Sequence, residues 1–489
     1  MIELLLAIPL VVALLALLPH TRQTLSALCL LAAVAMLAIS LLCASKVMAA
    51  KSLSGLSGIL MLDSLGLLMA LIITLIAFVA SIYSVGYLGI ELDEKEFSLA
   101  ALRRYYAIVH LFIFTMLLVV TTANLGVLWV GMEATTLTSA LLVVFYNKET
   151  SLEAGWKYLI LCTVGIAFAL LGTIFMYLAA FKSFGEVAGV LNWNFLTLNA
   201  TSLNPKLVKL AFIFVLIGYG TKAGFVPMHT WLPDAHSQSP TPISAMLSGV
   251  MLNCAVYAIL RYFVITQDTI GNGYAAQLML IFGIASLTLA TPFILLQKNF
   301  KRLLAYSSIE HIGIIAIGIG FGGTLGLYGA LLHTLNHALT KSLMFFSVGN
   351  ILLKYKTTLF ERVQQGLIHT MPLTAGLLIV GTLAIIGMPP FGLFISEFTI
   401  LAAGITKGSY LAAAVYLTVL ALVGAGFVYH MFKMVLGQIP ERIDRGETSK
   451  WNLAAMVILA GCILTLGLYL PSELNILITE AAKIIANKG

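Results

Sequence analysis

The chain has 489 residues, of which 60% are hydrophobic and only 10% charged, with a formal net charge of +7 and a mean hydropathy of +1.03. A soluble domain carries roughly 25% charged residues, so these figures exclude a soluble enzyme and specify an integral membrane protein. The basic excess is spread over connections without forming a long run, which fits the positive-inside bias and not nucleic-acid binding.

In chain order, apolar runs long enough to cross roughly 30 Å of hydrocarbon fall near 2–19, 24–44, 58–87, 105–122, 124–146, 156–181, 206–226, 240–265, 274–296, 303–320, 324–353, 371–402, 409–436 and 451–470. They predict an all-α polytopic membrane protein of about 14 transmembrane helices, numbered here as spans. The first run lacks a basic leader and a cleavage site, so it reads as a span and not a signal peptide. Short connections at 121–124 and 320–324 imply tight antiparallel hairpins, and the most polar connections are 91–104 and 438–450. The tail, 471–489, alternates apolar positions with Glu473, Glu480, Lys483 and Lys488 and reads as a short interfacial helix.

Five cysteines (Cys29, Cys43, Cys162, Cys254, Cys462) stand singly in apolar segments, with no CxxC, GxGxxG or GxxxxGK[ST] pattern. No cofactor, metal or nucleotide site is therefore expected in this chain. Connections after odd-numbered spans carry Arg22, Lys95, Arg103, Arg104, Lys148, Lys298, Lys301, Arg302, Lys354, Lys356, Arg362, Arg442, Arg445 and Lys450. Those after even-numbered spans carry fewer, chiefly Lys46, Lys51, Lys182, Lys206, Lys209 and Lys407. The first set is expected in the cytoplasm, which puts both termini outside.

Span 7 is interrupted after Lys222 by AGFVP, and span 12 at GMPPFG (387–392), just before Glu397. Each is the fourth helix of a five-helix group, spans 4–8 and 9–13, and the groups begin on opposite faces, as two inverted five-helix repeats require. The implied division is 1–104 for the N-terminal helices, 105–265 for the first repeat, 266–436 for the second, and 437–489 for span 14 with the tail. A lysine at membrane depth costs about 3 kcal/mol or more. Broken backbone there is tolerated only where protein or water surrounds it. Paired interruptions in matching helices are the strongest sequence pointer to a transport site.

Ionisable residues cluster near these breaks. Glu133, in the middle of span 5, either stays protonated or pairs with Lys222; the ion pair is the favoured reading because it keeps both groups charged. His333, His337 and Lys341 in span 11 recur at i, i+4 and i+8 and line one helix face. The histidine pair has zinc-like spacing but no nearby third ligand, so a proton relay is preferred over a metal site or a polar seam. In span 10, Glu310 and His311 are adjacent and should face different ways, with His311 assigned to the relay. Glu397 reads as the symmetry counterpart of Lys222. His229, Asp234 and His236 follow span 7 and either gate cytoplasmic access or fix the loop. Asp63 reads as a cap or interface carboxylate, and His110 and His430 as satisfied core histidines.

Lys222-Ala-Gly followed by PMHTWLPDAHSQSPTPISAMLSGVML, then HALTKSLMFF and MPPFGLFISEF in that order, resembles the antiporter-like subunits of respiratory complex I and of multisubunit cation/proton antiporters. The likeness runs over spans 2 to 14. EATTLTSALLV, SLEAGWKYLILCTVG, RLLAYSSIEHIG and LLHTLNHALTKSLMFFSVGN most resemble the F-type membrane subunit of hydrogenase-4 and formate hydrogenlyase complexes. The resemblance implies a non-catalytic subunit of the cell inner membrane that couples electron transfer in its partners to proton, or sodium, movement. It makes Glu133 and Lys222 the input pair, His337 and Lys341 the middle relay and Glu397 the exit. It also implies partners: antiporter-like and quinone-site-like anchor subunits, hydrogenase large and small subunits with a nickel–iron centre, and iron–sulfur proteins. Asn253 departs from many complex I relatives, which carry lysine or histidine there. Asparagine does not titrate, so the step beyond it needs water or a neighbour such as Glu310. A complex I-type NADH–quinone oxidoreductase subunit, a redox-independent cation/proton antiporter and an inorganic-carbon uptake subunit share the same pattern.

Overall fold

A bilayer interior offers no water to pair backbone amides, so long Leu-, Ile-, Val- and Ala-rich runs satisfy them internally as helices. The computed structural model describes residues 1–271, 273–363, 366–437 and 444–486; Arg442 and Lys488, used in the readings above, lie outside them. The spans are Ile2–Ala16, Arg22–Ala50, Ser64–Asp93, Leu99–Thr121, Leu125–Val143, Glu149–Phe184, Pro205–Ala223 continued by Trp231–Gln238, Thr241–Ile270, Tyr274–Leu295, Phe300–Phe321, Gly323–Tyr355, Pro372–Ile385 continued by Gly392–Thr406, Tyr410–Val435 and Lys450–Leu468. Among the described residues, ten of these helices are long and apolar enough to cross a membrane by length and composition. The other four are the short first helix, the two broken spans and span 11, whose interior carries Lys341.

Spans 8 and 10 are buried along their whole apolar stretch, whereas only 33%, 33% and 28% of spans 2, 13 and 14 is buried. The outer helices present Leu31, Leu41, Leu411, Leu417 and Val457 outward. The fold therefore places an apolar shell around an interior whose polar side chains pair with one another and with backbone carbonyls.

Span 3 departs from its predicted start at 58. Residues 52–63 form an antiparallel hairpin, Ser52–Gly55 against Leu60–Asp63, because Leu56, Ser57 and Gly58 take positive φ values that end helical geometry. The helix begins only at Ser64, where Asp63 accepts a hydrogen bond from the Gly66 amide at 2.8 Å. Asp63 is both the cap and the interface residue foreseen, since Arg261 of span 8 grips it bidentately at 2.6 and 2.7 Å.

The two breaks share one construction. After span 7, the Phe225 amide donates to Gly220 O at 2.8 Å and the Gly224 amide to Thr221 O at 3.2 Å, with Gly224 at φ +85°. After the first half of span 12, Met388 donates to Leu383 O at 3.1 Å and Gly387 to Ala384 O at 3.2 Å, with Gly387 at φ +66°. Both are Schellman terminations, which need a left-handed residue and pair the last carbonyls of a helix. Trp231 Nε1 also donates to Thr221 O, and Ser286 Oγ of span 9 accepts from the Val226 amide. These bonds hold the unwound backbone inside protein.

The tail helix, Ser472–Ala486, is amphipathic as expected. Its apolar residues Leu477, Ile478, Ala481, Ala482 and Ile485 are buried, and it packs against spans 3 and 11, so that face covers protein.

Candidate functional site

Lys222 sits two residues before Gly224 and is fully buried. Its Nζ donates to the Met132 carbonyl at 2.7 Å and to Thr136 Oγ1 at 2.6 Å. The expected contact with Glu133 is not made: among the described residues no Lys222–Glu133 ion pair lies within 4.0 Å, and Glu133 Oε2 has no hydrogen-bond partner. Helix geometry explains the difference. Met132 and Thr136 stack one turn apart and face span 7, while Glu133 is rotated by about 100° from Met132. Glu133 lies on the stripe of Val130, Leu137 and Leu141, each more than half exposed, but it is itself only partly exposed and its Oε2 is buried.

In the second repeat, three spans converge. His311 Nδ1 of span 10 lies 3.0 Å from His333 Nε2 of span 11, and His333 Nδ1 lies 3.1 Å from Ser396 Oγ of span 12. The Ser396 hydroxyl donates to Leu393 O at 2.9 Å, so it accepts from His333 Nδ1–H and leaves Nε2 to accept from His311 Nδ1–H. The His337 ring stands 5.2 Å from that of His311, and neither of its nitrogens has a partner. Lys341 Nζ donates to Leu304 O at 2.9 Å and to Ser307 Oγ. The structure thus brings together His311, His333, His337 and Glu397. Glu310 and His311 do not diverge as their adjacency suggested; Glu310 Oε2 lies 3.5 Å from His311 Nε2, and both are buried.

Glu397 is 7% exposed and its Oε1 has no hydrogen-bond partner. Counted from its break, it lies ten residues past Gly387, and the residue at that offset from Gly224 is Asp234, so Glu397 is not the positional mate of Lys222. Asp234 instead pairs with Arg302 at 2.5 Å and Lys157 at 3.3 Å at a partly exposed site, which anchors the second half of span 7. His229 is partly exposed beside Tyr306, whereas His236 is fully buried against Phe345 with both ring nitrogens unpartnered. Asn253 donates from Nδ2 to Gly249 O at 2.7 Å and leaves Oδ1 unpaired. His110 and His430 each bond a backbone carbonyl.

Several polar groups escaped the sequence reading. Thr136, Ser307 and Ser396 hold the lysines and histidines, yet serines and threonines in an apolar run carry no signal of their own. Lys301, assigned to a loop, is 1% exposed and donates to Ser239 O at 2.7 Å. Glu91 accepts the Tyr146 hydroxyl at 2.8 Å, and both line a cavity of about 300 Å³ with Lys301, Ser239 and Lys356.

The polar axis is therefore a set of membrane-buried lysines, histidines and carboxylates strung across spans 5, 7, 10, 11 and 12, suited to proton transfer. Residues 122–423 match the family described as NADH:quinone oxidoreductase/Mrp antiporter, transmembrane, and residues 55–97 match the complex I chain 5 N-terminus. The hydrogenase-4 component F homolog of Methylacidiphilum infernorum is 38% identical over 84% of this chain and 85% of its own. A chain of the membrane-bound sulfane sulfur reductase, an archaeal respiratory membrane complex, superposes with a TM-score of 0.86 at 25% identity over 99% of this chain and 97% of that one. One from the Mrp complex of a Dietzia species superposes with a TM-score of 0.87 at 21% identity, over 100% of this chain and 99% of that one. The chain belongs to the NADH:quinone oxidoreductase/Mrp antiporter membrane-subunit family, as an antiporter-like polytopic subunit of the respiratory type.

Proposed function

We propose that this chain is the proton-translocating subunit of a respiratory-type hydrogenase complex in the cell inner membrane, with both termini outside. The observation that carries the reading is the set of buried titratable groups inside an apolar shell, Lys222 in the first repeat and Lys341, His337, His333, His311, Glu310 and Glu397 in the second. The partners are a nickel–iron hydrogenase with its iron–sulfur proteins and other membrane subunits, supported by the likeness to a hydrogenase-4 component.

Lys222 rests on two neutral acceptors. A redox-driven shift of Glu133 toward it supplies a carboxylate that holds the ammonium more strongly, and a shift away releases the proton for lateral transfer. The proton passes the Asn253 region through water, reaches Lys341 and His337, crosses the His311–His333 bond and leaves by Glu397. Ser396 ends that branch: its own proton is committed to a carbonyl, which is no base. Moving one charge against 100 mV costs about 2.3 kcal/mol, within the range a few such contacts supply.

In vesicles holding the whole complex, Lys222→Ala and Glu397→Gln should each abolish redox-driven proton release, while hydrogen turnover with soluble dyes persists. Full pumping by Lys222→Ala would sink the relay. A redox-independent cation/proton antiporter would instead show ion flux without any hydrogenase partner.

A further inference from the structure

We propose that His311, His333 and Glu397 form a binding site for a divalent transition-metal ion of the zinc class. One ligand atom from each lies within 4.8 Å of the other two, and all three residues are buried. Spacing along span 11 had directed attention to His333 with His337; the triad instead draws one residue from each of spans 10, 11 and 12.

The nitrogen positions suit a metal. Tetrahedral coordination with bonds of about 2.0–2.1 Å sets neighbouring nitrogens about 3.3 Å apart. His311 Nδ1 and His333 Nε2 now lie 3.0 Å apart around a shared proton, so an ion replaces that proton with an outward movement of a few tenths of an ångström. Each imidazole also has an oxygen behind it, the arrangement that fixes the tautomer of metal-ligating histidines. Behind His333 it is Ser396 Oγ at 3.1 Å, and behind His311 it is Glu310 Oε2 at 3.5 Å. With its proton moved to Nε2, His311 presents Nδ1 to the ion.

The third ligand is equally prepared. Glu397 Oε1 is buried and unpartnered, and its other oxygen fits only because Gly387 has no side chain: a Cβ there would stand 2.0 Å from Oε2. Two imidazoles and one carboxylate, with a fourth position left for water, is the donor set of open zinc sites. Glu397 and Glu310 together bring two negative charges, which neutralise a divalent cation in an interior that tolerates no uncompensated charge. On the relay reading, the ion occupies the His311–His333 step and blocks it.

The test uses the full-length chain in nanodiscs titrated with zinc chloride, read by calorimetry and by X-ray absorption at the zinc edge. One ion per chain is expected, with two imidazoles in its first shell. His311→Gln, His333→Gln and Glu397→Gln should each remove this binding, Ser396→Ala should weaken it about 10–100-fold, and His337→Gln should leave it in place. Absence of saturable zinc, binding indifferent to the triad variants, or a first shell without two imidazoles overturns the site. The wild-type spectrum decides this even where a variant fails to fold. Proton flux in vesicles separates the two claims, because zinc bound at the triad without slowing flux keeps the site and refutes the relay.

Discussion

Removing one member of the Asp63–Arg261 pair should destabilise the chain more than any surface substitution. The two side chains are 7% and 2% exposed and share two hydrogen bonds of 2.6 and 2.7 Å. The guanidinium also lies 3.9 Å from the Trp193 ring centroid and 4.8 Å from that of Tyr257. Those rings in turn donate to Thr122 O and Val120 O at the end of span 4, so the pair joins the hairpin, span 3, span 4 and span 8. Breaking a buried pair leaves one charge uncompensated and costs about 3–5 kcal/mol. Arg261→Ala should fall at the upper end, since a cation–π contact worth up to about 2 kcal/mol is lost as well. Asp63→Ala loses about 1 kcal/mol more as the cap of span 3. In the double variant neither charge remains, so it should be scarcely less stable than either single, a coupling of about 3 kcal/mol. The assay is unfolding in mixed micelles, followed by a maleimide dye that reports exposure of the buried thiols Cys29, Cys43, Cys162 and Cys254, the last on span 8. Single costs below about 1 kcal/mol, the range of exposed pairs, or strictly additive effects, would refute the reasoning.

Gly387→Ala forces a Cβ into Glu397 and places alanine at φ +66°, which costs about 1–2 kcal/mol in backbone alone. It should cut proton flux, whereas Gly224→Ala, whose Cβ meets the apolar Leu232 Cδ1 at 2.7 Å and Ile309 Cγ1 at 3.9 Å, should lose similar stability with a smaller loss of flux; equal losses would argue against a role for the Glu397 position. Asp234→Asn should cost about 1 kcal/mol or less in the same unfolding assay, because its partners Lys157 and Arg302 are 49% and 37% exposed.

Hydropathy and the paired glycine–proline interruptions made the span count and the two breaks readable, because both follow from backbone chemistry that apolar surroundings enforce. What stayed hidden depends on rotation about helix axes. Glu133 and Lys222 are each anomalous in sequence, but nothing in the one-dimensional pattern shows that Met132 and Thr136, not Glu133, face span 7. Glu310 illustrates the same limit from the other side: its neighbour's face was predictable, while the reach of its side chain back to His311 was not. The hairpin before span 3 was missed because its strand residues, Leu60 to Leu62, are as apolar as the helix they precede.

The offsets of Lys222 and Glu397 from their breaks have a consequence for direction. Spans 7 and 12 are five crossings apart and so run antiparallel. A residue before the break in one and a residue after the break in the other therefore lie toward the same membrane face. An ideal two-fold arrangement would put them toward opposite faces, and a wire with that symmetry has no preferred sense of travel. By displacing one charge across its interruption, the chain gives a pseudo-symmetric scaffold a polarity, which any device that moves ions one way must have.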